Sequence, residues 1–168
     1  QEAFYLPCST CKRFADEDSM RVLLAVEDSK FGKAIVEYVA SHSWKPGTMF
    51  KLLHVVEPAL VGDSITAIYG VGLDNQILEE RTKSGAELME KLRHELQSAV
   101  GAALPVEVSV TIGQPQHAIL EAADQWKANM IVMGSHGRRG VSRFFLGSVS
   151  LAVLAQAKCT VTVVRLAD

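Results

Sequence analysis

Residues 133–148 read MGSHGRRGVSRFFLGS, with four glycines and three arginines directly after the short apolar run 129–133. Gly134 and Gly137 lack a Cβ and let the backbone approach a ligand closely. Gly147 and Ser148 open a helix, whose first N–H groups and dipole attract anions. Hydroxyls at Ser148 and Ser150 can donate to phosphate oxygens, and Arg138, Arg139 and Arg143 lie between, able to pair with further negative charge. Glycines after a strand are often only turn residues, and loop arginines are usually solvated. Four glycines, a serine and a helix start at one strand end weigh toward a binding site for a phosphate-bearing ligand. Two common phosphate loops are excluded: no G-x-x-x-x-G-K-[ST] occurs, and the spacing is GxxGxxG after the fourth strand, not GxGxxG after the first.

Other chemistries find little support. Glu27 and Asp28 end the first strand as in a phosphoacceptor domain, but the third strand ends VTIGQP, without the further acid such a domain needs. His42, His94 and His117 sit in polar helical contexts, and His54 in the second strand reads as a satisfied core or rim histidine. No H-x-x-x-H or H-E-x-x-H spacing occurs. G-x-S-x-G is absent, and Cys159 falls inside a strand, so no nucleophile–base pair is legible and no catalytic residue is assigned. Cys8 and Cys11 form a C-x-x-C pair, but a structural zinc takes four ligands and no second pair follows.

The elements that must position the glycine segment follow from periodicity. Residues 21–26 (RVLLAV) form a buried strand, continuous and apolar. Residues 29–43 place Phe31, Ala34, Ile35, Tyr38 and Val39 on one helical face, with Ser29 as cap. A second strand covers 49–56, and the loop 57–72 leads to a long helix at 74–99 with Leu78, Leu88, Met89, Leu92 and Leu96 inward and a solvated charged face. Strict alternation over 105–112 gives the third strand, with a more exposed face. A helix at 116–127, a strand at 129–133, a helix at 147–157 and a strand at 159–165 complete the pattern, with Trp44 and Trp126 as packing residues. Strands alternating with helices imply an α/β fold, a mostly parallel sheet with helices on both faces. Ligands then bind outside the carboxyl ends of the strands, where the strand order reverses.

At 168 residues the chain suits a single domain, 21–168. Residues 1–20 have no sustained period and are expected to be an N-terminal extension, flexible or appended, ordered only where it docks on something. A net charge of −2 argues against nucleic-acid binding through bulk electrostatics. No apolar stretch approaches the ~18 residues of a membrane span. Three cysteines, with Cys159 far from the other two, suit a reducing cytoplasm better than a disulfide framework.

The signature Gly134-x2-Gly137-x9-Gly147-Ser148, preceded by IVM and opened by GSHG, resembles the nucleotide-binding motif of the universal stress protein A family in its ATP-binding branch. The likeness runs from 21 to 165, through VLLAVEDS, LLHVV, GQP and TVTVV. It implies a five-stranded sheet of order 3-2-1-4-5 and a homodimer through the last strand, 159–165. A charge at Val163 would then be expected to prevent pairing. The resemblance further implies ATP, with Mg2+ accompanying its phosphates. Gly134, Gly137, Gly147, Ser148, Val149 and Ser150 would hold phosphates and ribose, with His136 and Arg138 inside the motif. Val55 and Met133 would line the adenine pocket, with Ala25 and Val26 beside it. Where the family commonly has Asp after the first strand, this chain has Glu27, one methylene longer. The expected role is a stress-response protein acting by nucleotide binding and partner contacts. A slow ATP hydrolase or phosphotransferase is the alternative, and a dimeric interaction module without nucleotide is a third.

Overall fold

Apolar runs without a polar face form strands that need cover on both sides. The computed structural model describes residues 3–6, 19–27, 29–58, 71–135 and 146–166. In chain order the elements are β1 (Ala3–Leu6), β2 (Arg21–Ala25), α1 (Ser29–Ala40), β3 (Met49–Val56), α2 (Val71–Val100), β4 (Val106–Ile112), α3 (Pro115–Gln125), β5 (Met130–Gly134), α4 (Ser148–Gln156) and β6 (Thr160–Val164). They build one sheet in the order β1-β6-β5-β2-β3-β4. Strands β2 to β6 are all parallel to their neighbours among themselves. Counted along the chain they run 3-2-1-4-5 from the β4 edge, as expected.

Side chains alternate across the sheet, and the two faces bury separate cores. Val22, Leu24, Phe50, Leu52 and Val132 meet Ile35 and Val39 of α1 and Met89, Leu92 and Leu96 of α2 on one side. Leu23, Leu53, Ile131, Val161 and Val163 meet Ile119 and Ala123 of α3 and Val153 of α4 on the other. The helical faces expected inward are buried, except that Leu78 and Leu88 are only half-buried. Strand β4, the outer strand on its side, is the most exposed, with Ile112 at 51%. Its alternating sequence reflects that position.

Polar contacts fix where the strands start. The Arg21 N–H donates to Asn129 Oδ1 at 2.7 Å, and the Asn129 N–H donates back to Arg21 O at 2.9 Å, setting β2 against β5. The Trp44 indole N–H donates to Val39 O at 2.8 Å and its ring meets Phe50 edge-on, closing the end of α1. Lys51 lies 4.7 Å from the centre of the Trp126 ring and 3.0 Å from Glu107. Both tryptophans are therefore packing residues.

Within the N-terminal extension, four residues are ordered by docking on the sheet. Residues Ala3–Leu6 dock as β1, antiparallel to β6, in the register Ala3↔Val164 to Leu6↔Val161. The last strand is thus not the edge of the sheet while β1 is in place. The charge test at Val163 also needs correction. Its side chain is 1% exposed and belongs to the core under α3 and α4, so a charge there would unfold the chain and not report on the strand edge. Cys159 is buried just before β6. Cys8, Cys11, Asp28 and the loop 59–70 lie outside the described residues. No helix among the described residues is long and apolar enough to cross a membrane.

Candidate functional site

The chain leaves β2 to build β3 and β4 on one side, then returns to build β5 and β6 on the other. Strand order reverses between β2 and β5, and connections diverge there, leaving a crevice at the carboxyl ends. A cavity of about 860 Å³ occupies this place, within the size range of small-molecule sites. Ten of the thirteen residues expected at the site line it: Ala25, Val26, Glu27, Val55, Met133, Gly134, Gly147, Ser148, Val149 and Ser150. The other three, His136, Gly137 and Arg138, lie in the segment 136–145 outside the described residues, together with Arg139 and Arg143.

One wall is the start of α4. Gly147 precedes the helix in an extended conformation (φ −63°, ψ 156°), with no side chain capping the first turn. Its own N–H is used, donating to Ser135 O at 2.8 Å. The next three, of Ser148, Val149 and Ser150, have no acceptor within the helix. They carry the positive end of its dipole, a feature that attracts anions.

Two site residues do different work from that expected. The Ser150 hydroxyl is buried and donates to Gly134 O at 2.9 Å, tying the helix to the end of β5. Its hydroxyl is thereby engaged within the protein. At Gly134 the direction a Cβ would take is filled by the Phe31 ring, whose Cδ1 lies 2.5 Å from the ideal Cβ position. The missing side chain admits an aromatic wall of the cavity, so the close approach at Gly134 is to protein.

The floor is apolar, built by Ala25, Leu53 and Met133 with Val55 packed against them, a surface suited to a flat ring. Among the described lining residues the charged groups are Glu27, Glu57, Glu80 and Arg81. Three carboxylates against one guanidinium repel phosphates, so the α4 end is where an anion fits. Glu27, at the end of β2 and half-buried, lines the cavity. Among the described residues no cluster of three or more histidine, cysteine or acidic side chains could hold a metal ion.

The sequence reading missed the wall from α2, which brings Glu80, Arg81, Ser84, Gly85 and Leu88 to the cavity. Buried His54 explains how α2 sits so close. Its Nδ1 lies 2.8 Å from Val26 O, and because a carbonyl only accepts, Nδ1 carries the hydrogen. A Cβ at Gly85 would fall 2.5 Å from His54 Cδ2. A glycine in the middle of a 30-residue helix was the available signal, since such a residue weakens a helix unless packing requires it.

Known proteins share both sequence and fold with this chain. The model of the universal stress protein family matches residues 19–165. A universal stress protein of Thermus aquaticus is 34% identical over 145 residues, covering 86% of this chain and 97% of its own length. Universal stress protein A homolog 2 of Coxiella burnetii is 31% identical, over 87% and 94%. Among solved structures, MJ0577 of Methanocaldococcus jannaschii superposes with a TM-score of 0.73 at 23% identity, over 88% of this chain and 96% of that one. An Archaeoglobus fulgidus universal stress protein in complex with dAMP gives 0.57 at 18%, over 86% and 97%. An Arabidopsis thaliana family protein with AMP bound gives 0.58 at 18%, over 88% and 92%. At these identities the structural likeness is one of fold, whereas the family rests on the match across almost the whole domain: the chain belongs to the universal stress protein family.

Proposed function

We propose that this chain binds ATP in the crevice between β2 and β5, with Mg2+ held by the phosphates, and acts in the stress response through nucleotide-dependent contacts with partners and not as a catalyst. A cytoplasmic setting belongs to the same proposal. The carrying observation is the start of α4: three helix N–H groups without intrahelical acceptors border a cavity whose floor is apolar. Phosphates at the helix end and adenine on Ala25, Val55 and Met133 place unlike parts of one ligand on unlike surfaces. Family members with AMP and with dAMP bound support a nucleotide as the ligand class. Pairing of two copies through β6, implied by the resemblance, requires an edge free of β1.

The test is Ser148→Pro. Proline is tolerated at the first position of a helix, where its missing N–H breaks no intrahelical bond, and Gly147 already has the extended ψ that a residue before proline adopts. The substitution removes one donor and one hydroxyl from the anion site while leaving the floor intact. Calorimetry should show ATP affinity falling about tenfold, equivalent to ~1.4 kcal/mol, with adenosine affinity unchanged. Equal losses for both ligands would remove the phosphates from the helix end.

Glu27 tests the other end of the ligand. A carboxylate accepting from a ribose or base contributes ~1.5–3 kcal/mol. Glu27→Ala should weaken ATP about tenfold, or ~1.4 kcal/mol, and Asp28→Ala should matter less. Glu27→Asp should hold or improve affinity if the family geometry applies. A dominant effect of Asp28 in the same titrations would show that the turn after β2 is registered one residue away.

A further inference from the structure

His54 lines the cavity at 4% exposure, more deeply set than Glu27, Glu57, Glu80 or Arg81. Its ring is held on two edges. On one, Nδ1 donates to Val26 O at 2.8 Å. On the other, Cδ2 and Nε2 lie 2.5 Å and 3.0 Å from the ideal Cβ position of Gly85, against the backbone of α2. A ring so confined cannot turn without moving the helix, so packing sets the direction of its Nδ1–H.

The carbonyl that it holds stands where β2 ends. Strand pairing between β2 and β3 stops at Ala25↔Leu53, and the Val26 N–H makes one bond more, to Leu53 O at 2.9 Å. In a regular parallel ladder the Val26 carbonyl would next accept from the Val55 N–H. Here it accepts from the His54 side chain, on the face of the sheet that α2 covers. The Val26–Glu27 peptide is therefore turned out of the plane of the sheet. A peptide unit is planar and rigid, so holding its carbonyl fixes where the nitrogen and Cα of Glu27 stand. From this geometry we propose that His54 is a positioning residue of the nucleotide site: by holding the Val26 carbonyl it sets the point and direction from which Glu27 enters the cavity. The proposal rests on the reading of the crevice as an ATP site in which Glu27 meets the ligand. His54 itself need touch no ligand.

Two substitutions separate the donor from the bulk of the ring. His54→Leu removes the donor and keeps a large apolar side chain, whereas His54→Asn places an amide N–H the same number of bonds from Cα as Nδ1. Calorimetric titration with ATP should show His54→Leu weakened about tenfold and His54→Asn within about threefold of the unaltered chain. The cycle with Glu27→Ala is decisive. Because His54 acts through Glu27, adding His54→Leu to Glu27→Ala should cost little more than either alone, whereas independent effects would multiply to about a hundredfold. Thermal unfolding of each variant establishes that a folded chain is titrated. In the unaltered chain, the nitrogen chemical shifts of the His54 imidazole give a reading that needs no substitution and should place the hydrogen on Nδ1 with and without ATP. Unchanged affinity in a folded His54→Leu, equal losses for the leucine and asparagine variants, multiplied effects in the cycle, or a hydrogen on Nε2 in place of Nδ1 would overturn the proposal. An unaltered chain that fails to bind ATP would overturn the reading of the site as well, whereas ATP bound with any of those outcomes overturns the role of His54 alone.

Discussion

Gly134→Val is expected to abolish nucleotide binding and to cost about 1–3 kcal/mol of stability, the usual range for forcing extra atoms into a packed site. The first added carbon falls 2.5 Å from Cδ1 and 2.7 Å from Cγ of Phe31. Both are ring atoms of a side chain 7% exposed, held on α1 against the end of β5, so the ring must move as a body. Phe31 and Gly134 both line the cavity, and any displacement changes the space beside the start of α4. The Gly134 carbonyl, which accepts from Ser150, sits on the same residue, so the anchor of the helix is disturbed too. Titration with ATP and thermal unfolding measure the two effects. A companion, Gly134→Ala with Phe31→Leu, should recover much of the stability by making room. If Gly134→Ala alone leaves both affinity and melting temperature unchanged, Phe31 does not set the requirement for glycine.

Gly85→Val should be comparably damaging, through His54. The added Cβ would lie 2.5 Å from Cδ2 and 3.0 Å from Nε2 of an imidazole that is 4% exposed. Either α2 lifts from the sheet or the ring turns out of its hydrogen bond to Val26 O. The first loses packing around Met89 and Leu92, and the second leaves a buried carbonyl unpaired at about 1–3 kcal/mol. ATP affinity should fall as well, because His54 and Gly85 share the cavity wall. Ser84→Val is the control: it adds the same branched chain to the same turn at an exposed position, where substitutions usually stay within about 0.5 kcal/mol. Chemical denaturation resolves the pair, and equal stability losses would show that the approach to His54 does not govern position 85.

The residues that disappoint local reading share a cause. Gly134 and Ser150 line the cavity, yet the partner that explains the one is Phe31 and the partner of the other is the Gly134 carbonyl. Both roles require β5 beside the first helix after β2 and α4 folded back onto the strand end. Gly85 lies outside the glycine-rich segment, and its purpose appears only when α2 covers the face of β3 that carries His54. The wall contributed by α2 was invisible for the same reason, since a charged stretch at helical spacing reads as a solvated face.

By itself, the sequence determined everything that follows from spacing along the chain. Apolar runs and the 3.6-residue period set the order of strands and helices from 21 to 165 and their inward faces, because the same side chains that fix the local period also form the core. The glycine spacing and the helix start pointed to the strand end that borders the cavity, because a strand end followed by an unfilled helix terminus is a local feature. Tertiary structure alone decided which atoms each site residue meets, how far α2 closes over the cavity and what lies at the β6 edge. Such contacts join residues far apart in the chain through backbone groups identical at every position. For that reason AFYL at 3–6 carries no mark of its partner, and only the register Ala3↔Val164 to Leu6↔Val161 shows where it belongs.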